Sequence, residues 1–349
     1  MEDIPILIND NFYSQRTPHS KIVISNLKKE KIGATDKGPE SFYEIKEKFE
    51  EMERRPEKYF NYMIENGGVV ITKIYSGNDT HIKIPSYIDG YPVKELGGEV
   101  LENDAVVEQI ILPSSINKLH DSCFDNAKYL RSINLPSIVK TIPIYCFDNC
   151  KELFDIDLSH VKEIGYCAFK NTALTSINLI DIEIINQKAF ENCQNLRKIY
   201  LSNKISSLPY QCFRGCVSLE DIYIPDNVIM LGVSTFEDCS KLSTIRFPET
   251  LRMICDFCFA YCKSLKEFIA PRDLEEIQRK AFENSGLEKI ILNKKLQKIE
   301  EGAFDKCHKL NIIELYSNTD VLITKSFDFD KMDKIKIINE KNKEEARER

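Results

Sequence analysis

The chain has 349 residues, 42% of them hydrophobic, with 48 basic against 55 acidic side chains and a net charge of −7. That share of apolar residues can bury a core, so the chain as a whole is not of the disordered class. A moderately acidic balance without a basic stretch argues against general nucleic-acid binding, which needs a cationic footprint. No apolar run approaches the roughly 18 residues of a membrane span. The acidic start Met1-Glu2-Asp3-Ile4-Pro5 is not followed by an apolar stretch. No secretory signal is therefore expected, and the location expected is cytoplasmic. A surface or secreted location is the alternative if a leader has been removed or export uses another route.

Residues 1–67 form the first segment. Its first forty residues are mixed, with an extended run at Ile22–Ser25. Ser41 and Glu44 make a capping box, after which Phe42, Ile45, Phe49 and Met52 fall on one helical face. Pro56 then opens a second helix carrying Tyr59, Phe60 and Met63, with Gly67 as its stop. The expectation is a helical hairpin over the N-terminal end of the remaining chain. Residues 68–100 read as short strands and polar turns, as in a divergent capping unit. Residues 339–349 are a charged tail.

Between these ends a phenylalanine returns every 21 to 23 residues, at Phe124, Phe147, Phe169, Phe190, Phe213, Phe236, Phe259, Phe282, Phe304 and Phe327. Each has apolar companions at fixed offsets, as in Val228, Leu231, Phe236, Cys239, Leu242, Ile245, Phe247 and Pro248. Leu101 takes the Phe position one repeat earlier. A period of this length with strand-like Leu and Ile positions predicts a stacked solenoid whose units cannot bury their own faces singly. The L-x-x-I-x-I part alternates like a strand. Proline after it ends ladder pairing for want of an N–H. The Phe segment is too short for a regular helix and is expected as one helical or 3₁₀ turn. The fold class is thus an α/β repeat solenoid over 68–338, with one parallel β-sheet face and short helical turns opposite.

Ten of the twelve cysteines follow the same register. Cys150, Cys193, Cys216, Cys239, Cys262 and Cys307 lie three residues after a repeat Phe; Cys123, Cys146, Cys212 and Cys258 lie one before it. Cysteine placed this way behaves as a small buried hydrophobe, and the thiols are expected reduced. After Phe169 and Phe282 the next Leu comes one residue early and the Cys is missing. A shortened turn that leaves no space for a side chain there is the expected cause.

Segments such as Ala189-Phe190-Glu-Asn-Cys193-Gln-Asn-Leu196 and Ala303-Phe304-Asp-Lys-Cys307-His-Lys-Leu310 resemble the BspA-type leucine-rich repeat, also called the Treponema pallidum type, with its pattern near IxxxAFxxCxxLxxIxIPxxV. The stretch Ile84-Pro85 to Tyr91-Pro92-Val93 looks like the lead-in segment of such proteins. The resemblance spans roughly residues 68–338. It implies a right-handed solenoid that binds proteins or cell surfaces, with no catalytic residues to carry over.

Other constellations weigh little. Cys-x₃-Cys at Cys146/Cys150, Cys212/Cys216 and Cys258/Cys262, with Cys255-x-x-Cys258 beside them, could suggest zinc or redox chemistry. The repeat register produces these spacings by itself, with no second pair or His at ligand distance. The five histidines form no motif, no phosphate loop appears, and Asp328–Asp333 lacks the Gly and distal Glu of a calcium loop. Catalysis, a metal and a cofactor are not expected.

The outward strand positions are the functional lead. One column reads Asp157, Asn178, Tyr200, Tyr223, Arg246, Ile269, Ile291; the other reads Asp155, Ser176, Lys198, Asp221, Thr244, Glu267, Lys289. Tyr and Arg are common interface anchors, and Ile269 extends an apolar strip beside them. The candidate site is therefore Tyr200, Tyr223, Arg246, Lys198, Asp221, Asp155, Asp157 and Ile269. The alternative to a site is a solvated sheet whose tyrosines pair across strands. The expected function is a non-enzymatic scaffold, monomeric, binding a protein partner on the sheet face. A surface adhesin or carbohydrate binder is the alternative, with the tyrosines stacking on sugars and Asp155 and Asp157 accepting hydroxyl bonds.

Overall fold

The computed structural model describes residues 42–101, 106–315 and 336–339. The extended run at Ile22–Ser25, Ser41, Phe327, the Asp328–Asp333 segment and the charged tail lie outside them. Two compact units divide between Glu51 and Met52. Helix α1 runs over Phe42–Arg54, with Glu44 in its first turn and Arg54 in its last, the charge order its dipole favours. Met52 is buried, and its Sδ accepts the Lys83 N–H at 3.4 Å.

The second expected helix is absent. Pro56–Lys58 makes a single 3₁₀ turn, and the chain then forms an antiparallel hairpin of β1 (Phe60–Glu65) and β2 (Gly68–Ile74). Asn66 and Gly67 form its two-residue loop, with φ of 48° and 69°. Both are left-handed, as a type I′ turn demands, and Asn-Gly between apolar runs is the strongest short signal for it. That turn outweighs the brief helical spacing of Tyr59, Phe60 and Met63. After β3 (His81–Lys83), a shorter hairpin, also with a two-residue loop, joins β4 (Tyr87–Ile88) to β5 (Tyr91–Leu96). Strand β5 pairs in parallel with β2 on one side and with Lys118–Leu119 on the other, so the hairpins are continuous with the repeats.

Most coils contribute to two parallel ladders rather than one; the first ladder is divided into several short sheets, and the coil at 154–158 forms no strand in it. The first uses the x-I-x segments, such as Gln109–Ile111 beside Ser132–Asn134 and Glu267–Ile269 beside Lys289–Ile291. Ile110, Ile133, Phe268 and Ile290 point into the core from it. The second uses two-residue strands, among them Ser207–Leu208, Met230–Leu231, Met253–Ile254, Glu276–Ile277 and Lys298–Ile299, in one continuous sheet.

The Phe segments are chains of β-turns. Around Phe124, alternate amides bond backwards within the turn and sideways to the next coil. Cys123 N–H goes to His120 O (3.2 Å), Phe124 N–H to Cys146 O (2.9 Å), Asp125 N–H to Ser122 O (3.0 Å) and Asn126 N–H to Asp148 O (2.9 Å). Sideways bonding requires left-handed residues two before and two after each Phe, and both columns have positive φ from Ser122/Asn126 to Gly302/Lys306. The later column is rich in residues that tolerate this, namely Asn126, Asn149, Asn171, Asn192, Gly215, Asp238 and Asn284. The earlier one holds Tyr145, Gln211 and Phe257, at a cost of about 1–2 kcal/mol each that the inter-coil bonds must offset.

Phe124 to Phe304 form one buried stack, with ring centroids 5.2–5.7 Å apart and tilts of 4–19°. All twelve cysteines are free and buried. The thiols three residues after each Phe have a bonding role too. Cys150, Cys193, Cys216, Cys239, Cys262 and Cys307 each donate to the carbonyl of the preceding coil's Phe, at 3.1–3.4 Å. The two shortened turns are not empty there. Thr172 and Ser285 occupy the slot, both buried, and their hydroxyls lie 3.2 Å from Cys193 Sγ and Cys307 Sγ. From the Phe147 coil onward the position holds a small hydrogen-bonding group, a hydroxyl where the turn is short; the Phe124 coil has Ala127 there.

Candidate partner-binding face

The first ladder turns three residue columns outward. In the six coils from Phe154 to Ile269 all three are exposed: Phe154/Asp155/Asp157, Thr175/Ser176/Asn178, Arg197/Lys198/Tyr200, Glu220/Asp221/Tyr223, Ser243/Thr244/Arg246 and Lys266/Glu267/Ile269. Before this block Gln109, Ile111, Ser132 and Asn134 are half-buried, as are Lys289, Ile291, Ile312 and Glu314 after it. The alternation that sends Ile199, Ile222 and Phe268 inward turns their neighbours to solvent.

Tyr200 lies opposite Asn178 and Lys198 opposite Ser176 in one strand pair; Asp221 faces Thr244 and Tyr223 faces Arg246 in the next. The Arg246 guanidinium sits over the Tyr223 ring, 5.2 Å from its centroid. Tyr223 donates its hydroxyl to Asp226 Oδ1 at 3.2 Å. Burial and then the Asp226 carboxylate hold the Tyr223 phenol above its ordinary pKa. Tyr200 and Tyr223 remain 44% and 41% exposed. Lys198, Tyr200, Asp221, Tyr223 and Arg246 therefore occupy three successive coils. Ile269 follows one coil later, whereas Asp155 and Asp157 stand two coils before Tyr200. Asp157 uses Oδ1 to accept the Ser159 N–H (2.9 Å).

Charge pairing differs along this face. Towards the C-terminus, Lys289 bridges Glu267 (3.5 Å) and Glu314 (3.1 Å), and Lys266 lies 3.9 Å from Glu288. At the other end Arg131 joins Glu108 (3.3 Å) and Glu152 (3.8 Å). Among the described residues, Arg197, Lys198, Glu220, Asp221 and Arg246 make no ion pair. Two exposed apolar residues escape the column reading, Phe154 and Ile180, each 50% exposed. Phe154 stands directly before the first column, so extending that column by one residue would have found it. A third apolar group, Ile184, Ile229 and Met230, lies exposed on or beside the second ladder.

The other motifs converge on nothing comparable. Burial raises the cysteine thiols, with Cys255 and Cys307 pushed up to about 11, which opposes thiolate chemistry. His120 pairs with Glu95 at 2.7 Å, and His81 Nδ1 with Thr80 Oγ1 at 2.8 Å. Among the described residues no group of three His, Cys, Asp or Glu side chains could hold a metal ion. No helix among them is long and apolar enough to cross a membrane.

Stacked parallel ladders with one Phe and one Leu column per coil define a leucine-rich-repeat solenoid, a general protein-interaction fold. The chain belongs to the BspA type leucine rich repeat family, whose model matches residues 75–182, 162–286 and 231–346. It is similar to a leucine-rich repeat protein of Bacteroides ovatus, at 25% identity and a TM-score of 0.68, over 80% of this chain and 77% of that one. A leucine rich cell surface protein of Faecalibacterium prausnitzii shares 23% identity over 77% of this chain and 96% of its own, with a TM-score of 0.38. The T. pallidum leucine rich repeat protein shares 22% over 78% and 96%, with a TM-score of 0.30. No curated protein matches.

Proposed function

We propose that the chain is a non-catalytic scaffold that binds a protein partner on the exposed first-ladder face, with Tyr200, Tyr223 and Arg246 at the centre. The observation that carries this reading is the coincidence, on three successive coils, of two half-exposed tyrosines with five charged side chains that have no ion-pair partner. Towards both ends of this face charges pair across coils, at Arg131 on one side and at Lys266 and Lys289 on the other. A partner supplies the missing counter-charges at the middle coils and buries the rings, the kind of residue that dominates interface energetics. Buried thiols with raised pKa values favour this over a thiol enzyme.

The test compares capture of partners by the wild-type chain and by Tyr200→Ala/Tyr223→Ala/Arg246→Ala. Loss of at least one specific partner in the variant, with an unchanged melting curve, is the expected outcome. Retention of every partner sinks the patch.

A further inference from the structure

The exposed face is self-complementary, and the geometry points to a second copy of this chain as its occupant; we propose an isologous dimer through the six exposed coils. This rests on the partner-binding role of that face and names the partner. A two-fold axis parallel to the strands, midway between the Tyr200 and Tyr223 coils, runs the two solenoids antiparallel and preserves the columns. Each residue then meets the residue one, three or five coils away on the other copy.

At the centre Arg197 faces Glu220, Lys198 faces Asp221 and Tyr200 faces Tyr223, and by symmetry each pair occurs twice. These four charged residues are among those left without ion pairs within one chain. One coil further out Thr175 meets Ser243, Ser176 meets Thr244 and Asn178 meets Arg246, all hydrogen-bonding groups. At the rim Phe154 meets Lys266 and Asp157 meets Ile269. The one like-charge apposition, Asp155 with Glu267, falls where Lys289 already lies 3.5 Å from the Glu267 carboxylate. The axis also bisects the exposed block, whose limits are set independently by the half-buried residues at either end.

Six coils at about 4.8 Å and four residues at about 3.3 Å give a footprint of roughly 380 Å² per copy. That is below the roughly 800 Å² per partner of standard stable interfaces, so the dimer belongs to the weak, concentration-dependent class.

The test is sedimentation velocity of the full chain from micromolar to submillimolar concentration. Wild type is expected to self-associate, less so at high salt. Arg197→Glu/Lys198→Glu puts acid on acid, and Glu220→Lys/Asp221→Lys puts base on base. Each alone should weaken the dimer by about tenfold or more. Mixed in equal amounts, the two variants are opposite in charge at every central contact and should form a heterodimer, which also shows that both are folded. Absence of wild-type self-association, or a mixture no tighter than its components, overturns the proposal. If partner capture is then still lost in the tyrosine–arginine variant, the binding face stands and only the self-pairing falls.

Discussion

The two sides of each coil obey different rules. On the turn side almost every position repeats: a stacked Phe, a small donor three residues on, a left-handed residue between them. On the first-ladder side only the inward residue repeats, and the outward ones range from Asp157 to Tyr200 to Ile269. The turn side is constrained because each coil must fit its neighbours there. The sheet side is bonded through its backbone, which leaves side chains free to vary with what they meet.

Substitutions should separate the two sides. Phe213→Ala removes a ring stacked on both Phe190 and Phe236, at 5.5 and 5.7 Å. It should cost about 3–5 kcal/mol in chemical denaturation; a loss no larger than that of a surface change would end the claim that the stack organises the core. In the left-handed column, Gly215 at φ 72° should accept Asn, as its counterparts do, provided the Asn192 amide, whose Oδ1 lies where the new Cβ would sit, turns aside. Gly215→Val should cost about 1–2 kcal/mol more, and equal melting temperatures would contradict the turn chemistry.

The smallest effect concerns the residue after each Phe. That column alternates charge at Lys170, Glu191, Arg214 and Glu237, linked at 3.0, 3.3 and 3.0 Å. It starts, however, with Asp125 beside Asp148. Burial raises both carboxyl pKa values, and Asp125 raises Asp148 further; Lys170, Asn149 and Asn171 are nearby, and Glu99 adds to Asp125. A carboxyl whose folded pKa exceeds its unfolded one destabilises the fold once ionised. That penalty is full at neutral pH and fades as pH falls towards about 4. Asp148→Asn should therefore raise the melting temperature at neutral pH, and the gain should shrink in acid. A gain that grows in acid would reverse the sign of the linkage.

Much of the fold is legible in the sequence, because period and spacing report packing directly. The Phe register locates the core, and it places ten of the cysteines in it. The first helix is visible in the spacing of Ile45 and Met52. Sequence reading fails where a local signal competes with a pattern. Gly67 reads as a helix stop, although Asn66-Gly67 together specify a hairpin. Thr172 and Ser285 are hidden because a missing Cys looks like an empty slot rather than one filled by a hydroxyl. The second ladder is hidden because two-residue strands are too short to alternate. On the face, the columns are readable, but which charges lack partners is not. That depends on whether Lys289 reaches Glu267 and Glu314 while Lys198 reaches neither neighbour.

The thiol bonded to the preceding coil's carbonyl makes six of the joints between coils chemically addressable. A reagent cannot reach Sγ unless two neighbouring coils part, so cysteine modification would clock the breathing of the solenoid joint by joint. Cys307, 8% exposed near the last described coils, and Cys216, fully buried in the middle, would mark the fraying end and the slow centre of that motion.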